Sequence, residues 1–202
     1  MSCDKEHLMI CQEDFSCIAQ VATHCDWDAL CPFVRERQNL DLIGLLGNSF
    51  YLDVLNNKDD DAYSDLLCGS EYEGCDGSTK MHFGLKRALV HYSYGAYVYR
   101  HGFVDTPYNV VQKQIQDSIP VPTDELRKLR REHREMAFSF WEMTLDYLCK
   151  NKETFPLFNS CDCSSCCDNC ADESFCGECK VCGSIGNPDR TRSFTSTVIK
   201  RT

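Results

Sequence analysis

Apolar residues recur at steps of three and four through Met81, Leu85, Ala88, Leu89, Tyr92, Ala96, Tyr99 and Phe103, which places them on one face of a helix. Lys86, Arg87 and Arg100 fall off that stripe. A second long helix is predicted from about Thr123 to Asn151, with Thr123 as N-cap, Asp124 and Glu125 in the first turn, and Pro120 and Pro122 just upstream. Its apolar face is Leu126, Leu129, Met136, Ala137, Phe140, Leu145 and Leu148. At 1.5 Å per residue it would reach roughly 40 Å, so the two long helices form the spine of a bundle. Shorter helices are expected at 12–23, at 28–38 with Pro32 in its first turns, at 41–46 and 49–56 around Gly47, and at 60–67. Between the long helices, residues 104–119 hold Thr106-Pro107 and the β-branched pair Val110-Val111, and read as an extended ribbon or hairpin. The expected fold class is mainly α, a helical bundle with a short β ribbon.

Composition bounds this picture. The 202 residues are 43% hydrophobic and 26% charged, which fits one globular domain with a small appendage and excludes wholesale disorder. No run of 18 apolar residues exists, and the opening Met1–Phe15 carries charges where a signal peptide needs an apolar stretch, so neither a membrane span nor secretion by a visible signal is expected. The net charge of −10 argues against a surface that grips nucleic acid throughout.

The 16 cysteines change the domain reading. Half are scattered between Cys3 and Cys149; the rest, Cys161, Cys163, Cys166, Cys167, Cys170, Cys176, Cys179 and Cys182, fall within one short segment. That distribution divides the chain into a body at 1–160, a cysteine-rich module at 161–183 and a basic extended arm at 184–202. Four C-x2-C spacings let paired thiolates curl round one ion, and the eight sulfurs suffice for one or two structural zinc ions. With only Phe175 and Val181 as sizeable apolar side chains, the module has no hydrophobic core, whereas a structural zinc contributes on the order of 10 kcal/mol to folding. Disulfides formed in an oxidising medium and an iron–sulfur or redox role are the alternatives. Without a signal peptide a reducing compartment is expected, and Cys3, Cys11, Cys17, Cys25 and Cys31 then read as core or surface thiols. The module carries excess acid, the arm excess base, and the body holds most of the negative charge.

Catalytic chemistry finds no support. The histidines at 7, 24, 82, 91, 101 and 133 are scattered, and no H-E-x-x-H, P-loop or G-x-S-x-G element appears. His82 and His133 read as helix-surface or packed residues. Lys128, Arg130, Arg131 and Arg134 alternate with Glu125, Glu132 and Glu135 and read as a solvated, ion-paired face. Tyr94 and Tyr97 cannot share the main stripe of their helix. They define a second buried face, assigned to contact between subunits.

The ordered series Gln12–Phe15, Pro32-Phe33-Val34-Arg35-Glu36-Arg37-Gln38, Asp41-Leu42-Ile43-Gly44-Leu45-Leu46-Gly47 with Phe50-Tyr51, Tyr63–Leu67, Gly84–Leu89, Thr106–Lys113 and Phe155-Pro156-Leu157 resembles the head-to-tail connector (neck or ring) proteins of tailed phages, in particular those of Bacteroides-infecting and crAss-like phages. The resemblance covers about residues 8–160. It implies a structural virion protein that assembles as a ring of about twelve copies beneath the portal protein, extends the DNA channel for genome retention and ejection, and receives the next neck or tail ring protein. It also implies residence in the host cytoplasm before assembly, passage of genomic DNA without sequence-specific binding, no membrane and no enzymatic activity. The module and arm depart from that family's pattern. The arm residues Arg190, Arg192, Phe194, Val198, Ile199, Lys200 and Arg201 are assigned to binding an adjacent subunit, with a solvent tail as the alternative. The competing function is a zinc-dependent regulatory module that binds protein or nucleic acid.

Overall fold

The structure, a computed structural model, describes residues 8–17, 26–74, 77–108, 110–112 and 121–158. All belong to the unit Met1–Ser160. The cysteine module and the arm lie outside the described residues.

The body is mainly helical. A 3-10 helix at Gln12–Cys17 is followed by α1 (Trp27–Arg37), a π-helical segment (Gln38–Leu42), α2 (Ile43–Leu46), α3 (Asn48–Asn56) and α4 (Asp61–Cys68). A hairpin of β1 (Glu71–Glu73) and β2 (Thr79–Met81) leads into α5 (Gly84–His101). A second hairpin, β3 (Phe103–Asp105) and β4 (Val110–Gln112), precedes α6 (Thr123–Lys150). Both hairpins are antiparallel, with Tyr72 opposite Lys80 and Val104 opposite Val111.

Where the sequence predicts separate helices at 28–38 and 41–46, the chain instead runs on as one rod. Arg37 and Leu42 both keep right-handed helical angles, and the π segment joins α1 to α2 without a break. The reason lies in Gln38, whose side chain is buried. Its Oε1 accepts from the Met9 amide at 2.9 Å and its Nε2 donates to the Tyr51 hydroxyl at 3.0 Å, while that hydroxyl donates to Asn39 Oδ1 at 3.1 Å. A buried amide must be paired at both ends, and the wider π turn carries Gln38 and Asn39 to these partners.

The two long helices appear where periodicity places them, with changed ends. Met81 and Phe103 lie in strands rather than in α5, because the helix starts at Gly84 and stops at His101. Thr123 is the first helical residue of α6 rather than its cap. Pro122 takes the extended cap position, and its carbonyl accepts from the Glu125 and Leu126 amides at 3.0 and 3.2 Å. The expected ribbon at 104–119 is the β3–β4 hairpin over the residues described, whereas the β1–β2 hairpin has no counterpart among the expected elements. The first helix is a 3-10 turn ending at Cys17, beyond which the expected extension lies outside the described residues.

Helix α5 is the centre of the fold, packed most extensively on α6 and then on α1 and α4. Leu85, Ala88 and Leu89 on α5 are fully buried, as are Ala137 and Leu148 on α6. After α6 the chain turns back and buries Phe155 and Phe158, whose rings meet Phe50 of α3 at 5.8 and 5.3 Å. Tyr63, Tyr147 and Trp141 complete this aromatic end. Cys31 and Cys149 are both buried, and each takes part in a disulfide. Cys31 is therefore not the thiol expected of it, whereas Cys11 is a free, exposed thiol as expected and Cys68 is also free.

Gly84 sets the angle between α4 and α5. Its φ is +75°, and a Cβ there would lie 2.3 Å from the Leu67 carbonyl oxygen. Gly84→Ala is expected to cost at least about 2 kcal/mol, a fall in Tm of about 5 °C or more. Gly44→Ala, whose Cβ meets nothing within 4 Å inside a helix, is expected to hold or raise the Tm. Thermal denaturation of the two variants checks the pair, and an unchanged Tm for Gly84→Ala would refute the close approach.

Candidate functional site

Polar chemistry in the body gathers along the seam between α5 and α6. Gly95 on α5 makes the seam possible: a Cβ there would stand 3.0 Å from the His133 Cβ and 3.3 Å from the Arg130 carbonyl oxygen, so the helices cross closely at this point. One turn before Gly95 stands His91, and opposite it on α6 stands His133, both buried. Their Nδ1 atoms are 3.0 Å apart. One ring donates and the other accepts, so only one Nδ1 carries a hydrogen and the accepting ring is neutral.

The surroundings enforce neutrality. Burial pushes His91 down to about 4, with the nearby His133 and Arg87 acting in the same direction. Burial also lowers His133, against an opposing pull from Glu132. Phe140 lies flat against His91 with ring centroids 5.3 Å apart, and Tyr94 meets His133 edge-on at 4.9 Å. Two nitrogens on one tetrahedral zinc would be about 3.3 Å apart, from Zn–N bonds of about 2.0–2.1 Å, and a third ligand is required. No group of three ligating side chains able to hold a metal occurs among the described residues, and what the pair shows is a proton-sharing contact.

On the other side of Gly95 a narrow cleft opens between the π segment, α5 and α6. It is lined by Arg37, Asp41, Tyr92, Gly95, Arg130 and Arg134. Asp41 lies at its base, with Oδ2 3.4 Å from Arg37 Nη1 and Oδ1 3.9 Å from Arg134 Nη2. Burial pushes the Asp41 carboxyl up, and Arg37, Arg134 and Arg130 oppose the rise. Arg37 also touches Glu36, which in turn accepts from Arg100 Nη1 at 2.8 Å. The Arg130 guanidinium sits over the Tyr99 ring, 5.1 Å from its centroid.

This arrangement divides the basic run of α6. Lys128 pairs with Glu125 at 2.7 Å and Arg131 with Glu135 at 3.9 Å, as expected of a solvated face. Arg130 and Arg134 instead turn inward. Of the two readings of His82, helix-surface or packed, the structure shows the packed one: it stacks on Tyr147 at 4.0 Å and its Nε2 lies 3.2 Å from Ser70 Oγ, and burial lowers it to about 4 despite the opposing Asp65 charge.

Tyr94 and Tyr97 do form a second face, but that face is filled from within the chain. Tyr94 is buried against His133, and Tyr97 is half-buried with its ring edge-on to Phe33 of α1 at 5.7 Å. Packing against α6 and α1 thus accounts for Tyr94 and for one side of Tyr97, and the expected contact between subunits concerns the part of Tyr97 that the chain leaves exposed. Cys161, Cys163, Cys166, Cys167, Cys170, Cys176, Cys179 and Cys182, and the arm residues from Arg190 to Arg201, lie outside the described residues. Sequence patterning predicts neither the histidine pair nor the cleft. Both have a signal in the sequence, since His133 precedes Ala137 by one helical turn and Asp41 follows Arg37 by one turn.

A family model described as a family of unknown function (DUF6712) matches residues 42–168, more than half of the chain. No curated protein and no solved structure matches. No helix among the described residues is long and apolar enough to cross a membrane.

The histidines fix a pH dependence. His82 and His91 have folded values of about 4, below the ordinary imidazole range near 6.5, so the unfolded chain binds more protons between these limits. Their contribution to stability is complete above about pH 6.5 and is lost as pH falls towards 4, on the order of 3 kcal/mol for each. Urea denaturation from pH 7.5 to 4 is expected to show this decline, and His91→Phe to flatten part of it. A stability that stays constant over that interval would show that these rings are not held neutral.

Proposed function

The chain belongs to DUF6712, a family of unknown function, and we propose that it is a structural virion protein: a head-to-tail connector that forms a neck ring between the portal protein and the next ring or tail component. The observation that carries the reading is the order of the connector-like segments. They fall on consecutive elements through the body: residues 32–38 on α1 and the start of the π segment, 41–47 through α2, Phe50-Tyr51 on α3, Tyr63–Leu67 on α4, Gly84–Leu89 at the start of α5, Thr106–Gln112 at the second hairpin and Phe155-Pro156-Leu157 in the final turn.

The surface suits repeated contact. Met136, Phe138 and Met143 remain substantially exposed on α6, and Leu40 and Leu52 do so elsewhere on the body. A ring that closes needs two different patches on each copy, and an apolar side chain left outside the intrachain core gains most by such burial. The acidic body gives a channel wall that repels phosphate and favours passage of DNA over retention on the wall. No step of the role requires catalysis.

Zinc bound by the eight clustered cysteines would hold the module rigid, and the arm, with Phe194, Val198 and Ile199 amid Arg190, Arg192, Lys200 and Arg201, would extend to a neighbouring subunit. The same cluster favours the second reading, a zinc-dependent module that binds a regulatory protein or nucleic acid.

Mass measurement and imaging of the particle neck test the two readings. The connector is expected as rings of about a dozen copies that co-purify with virions; a monomer or dimer absent from particles, with salt-sensitive nucleic-acid binding, would replace it by the second reading. Elemental analysis of reductively purified protein is expected to find zinc, and Cys179→Ser with Cys182→Ser to release it while the thermal transition of the helical body persists. Metal-free protein with eight titratable thiols in the cluster would remove the zinc.

A further inference from the structure

The cleft beside Gly95 holds more positive than negative charge, unlike the acidic body around it. Arg37, Arg130 and Arg134 line it against the single carboxylate Asp41. The adjoining Glu36 is shared between Arg37 and Arg100. No carboxylate among the described residues forms an ion pair with Arg130, whose guanidinium is held against the Tyr99 face. Arg37 is only 9% exposed, and its Nε–H is buried without an acceptor among the described residues. A buried guanidinium donor with no partner costs stability that a negatively charged oxygen restores. The space in the cleft, about 10 Å³, matches one oxygen atom rather than a whole ligand.

We propose that this cleft is an oxyanion site: one oxygen of a phosphate or sulfate group enters beside Arg37, and Arg130 and Arg134 close on the remaining oxygens. Arg134 can do so because its side chain is 41% exposed and its link to Asp41 is loose, at 3.9 Å. Arginine is the side chain for this task, since its planar fork meets two oxygens at once and its charge does not titrate. The proposal does not depend on the ring assembly.

Asp41 gives the site its distinguishing behaviour. A bound oxyanion repels the Asp41 carboxylate, so binding is linked to proton uptake there and tightens as pH falls. The groups that face Asp41 are Arg37, Arg130 and Arg134, the like charge of Glu36, and Tyr92, whose hydroxyl is pushed up to about 12 and stays neutral. Sulfate is the suitable probe, because it remains a dianion at both pH values of the test.

The test is titration of the full chain with sulfate at constant ionic strength, read by calorimetry and by thermal shift at pH 7.5 and 5.5. Saturable binding is expected, tighter at pH 5.5. R130Q and R134Q are expected to weaken it at least tenfold, whereas D41N tightens it and removes the pH difference. The gain in D41N distinguishes a site from general damage, since a misfolded variant does not bind more tightly. An equal response in all four proteins would overturn the proposal in favour of a non-specific salt effect, and an absence of saturable binding would leave the cleft to solvent. Inorganic phosphate and a short DNA duplex separate the sources. Competition by the duplex that disappears in R134Q assigns the oxyanion to a nucleic-acid backbone; competition by phosphate alone assigns it to a free anion.

Discussion

The close crossing of α5 on α6 is the constraint from which the rest of this body follows. Helices approach this closely only where one contributes almost no side chain, and Gly95 is that position. Its consequence is electrostatic as much as steric. Two histidines facing each other across so tight a seam cannot both be charged, and burial among Phe140, Tyr94 and Ala137 holds them neutral and hydrogen-bonded. The contact supplies directionality that apolar packing alone lacks: it works only in one register of the two helices.

Around that seam the fold separates apolar and charged work. Towards the far end of α6 the rings of Trp141 and Tyr147 join Phe50, Phe155 and Phe158, so aromatic burial holds the segment after the helix, together with turn hydrogen bonds such as that from the Phe155 amide to the Asn151 carbonyl at 3.1 Å. Nearer its start, the same helix turns Arg130 and Arg134 towards Asp41 and the π segment. The π segment links the two regions to the N-terminal strand of chain, since Gln38 receives the Met9 amide and reaches Tyr51 of α3. A change at Gln38 would therefore be felt both at the N-terminal segment and beside the arginine cleft.

A structural role and an anion site are compatible on such a scaffold. The proposed ring assembly needs exposed apolar surface that the intrachain core does not consume, and Met136, Phe138 and Met143, exposed on α6, would supply it. The cleft lies on the side of α6 that meets Asp41, where three guanidiniums face a single carboxylate within an otherwise acidic body. Charge of one sign gathered locally against the net charge of the whole has little reason to persist as stability, because each guanidinium taken from water must recover its hydration from a partner.

The sequence by itself determined the mainly helical architecture, the two long helices and the extended ribbon between them, because a step of three and four, a proline pair and a β-branched run are local signals that act within a few residues. It also read His82 and His133 as helix-surface or packed residues, between which the structure decides for packing, and placed Lys128 and Arg131 in ion pairs at helical spacing. Only the tertiary structure decided what fills the second face of α5. Tyr94 and Tyr97 look alike in a helical projection whether a neighbouring copy or α1 and α6 cover them, since periodicity records that a face is buried and not by what. The same limit hid the His91–His133 pair and the Asp41 cleft, whose members lie far apart in the chain. Their proximity comes from the crossing at Gly95, a property of two packed helices that neither helix carries alone.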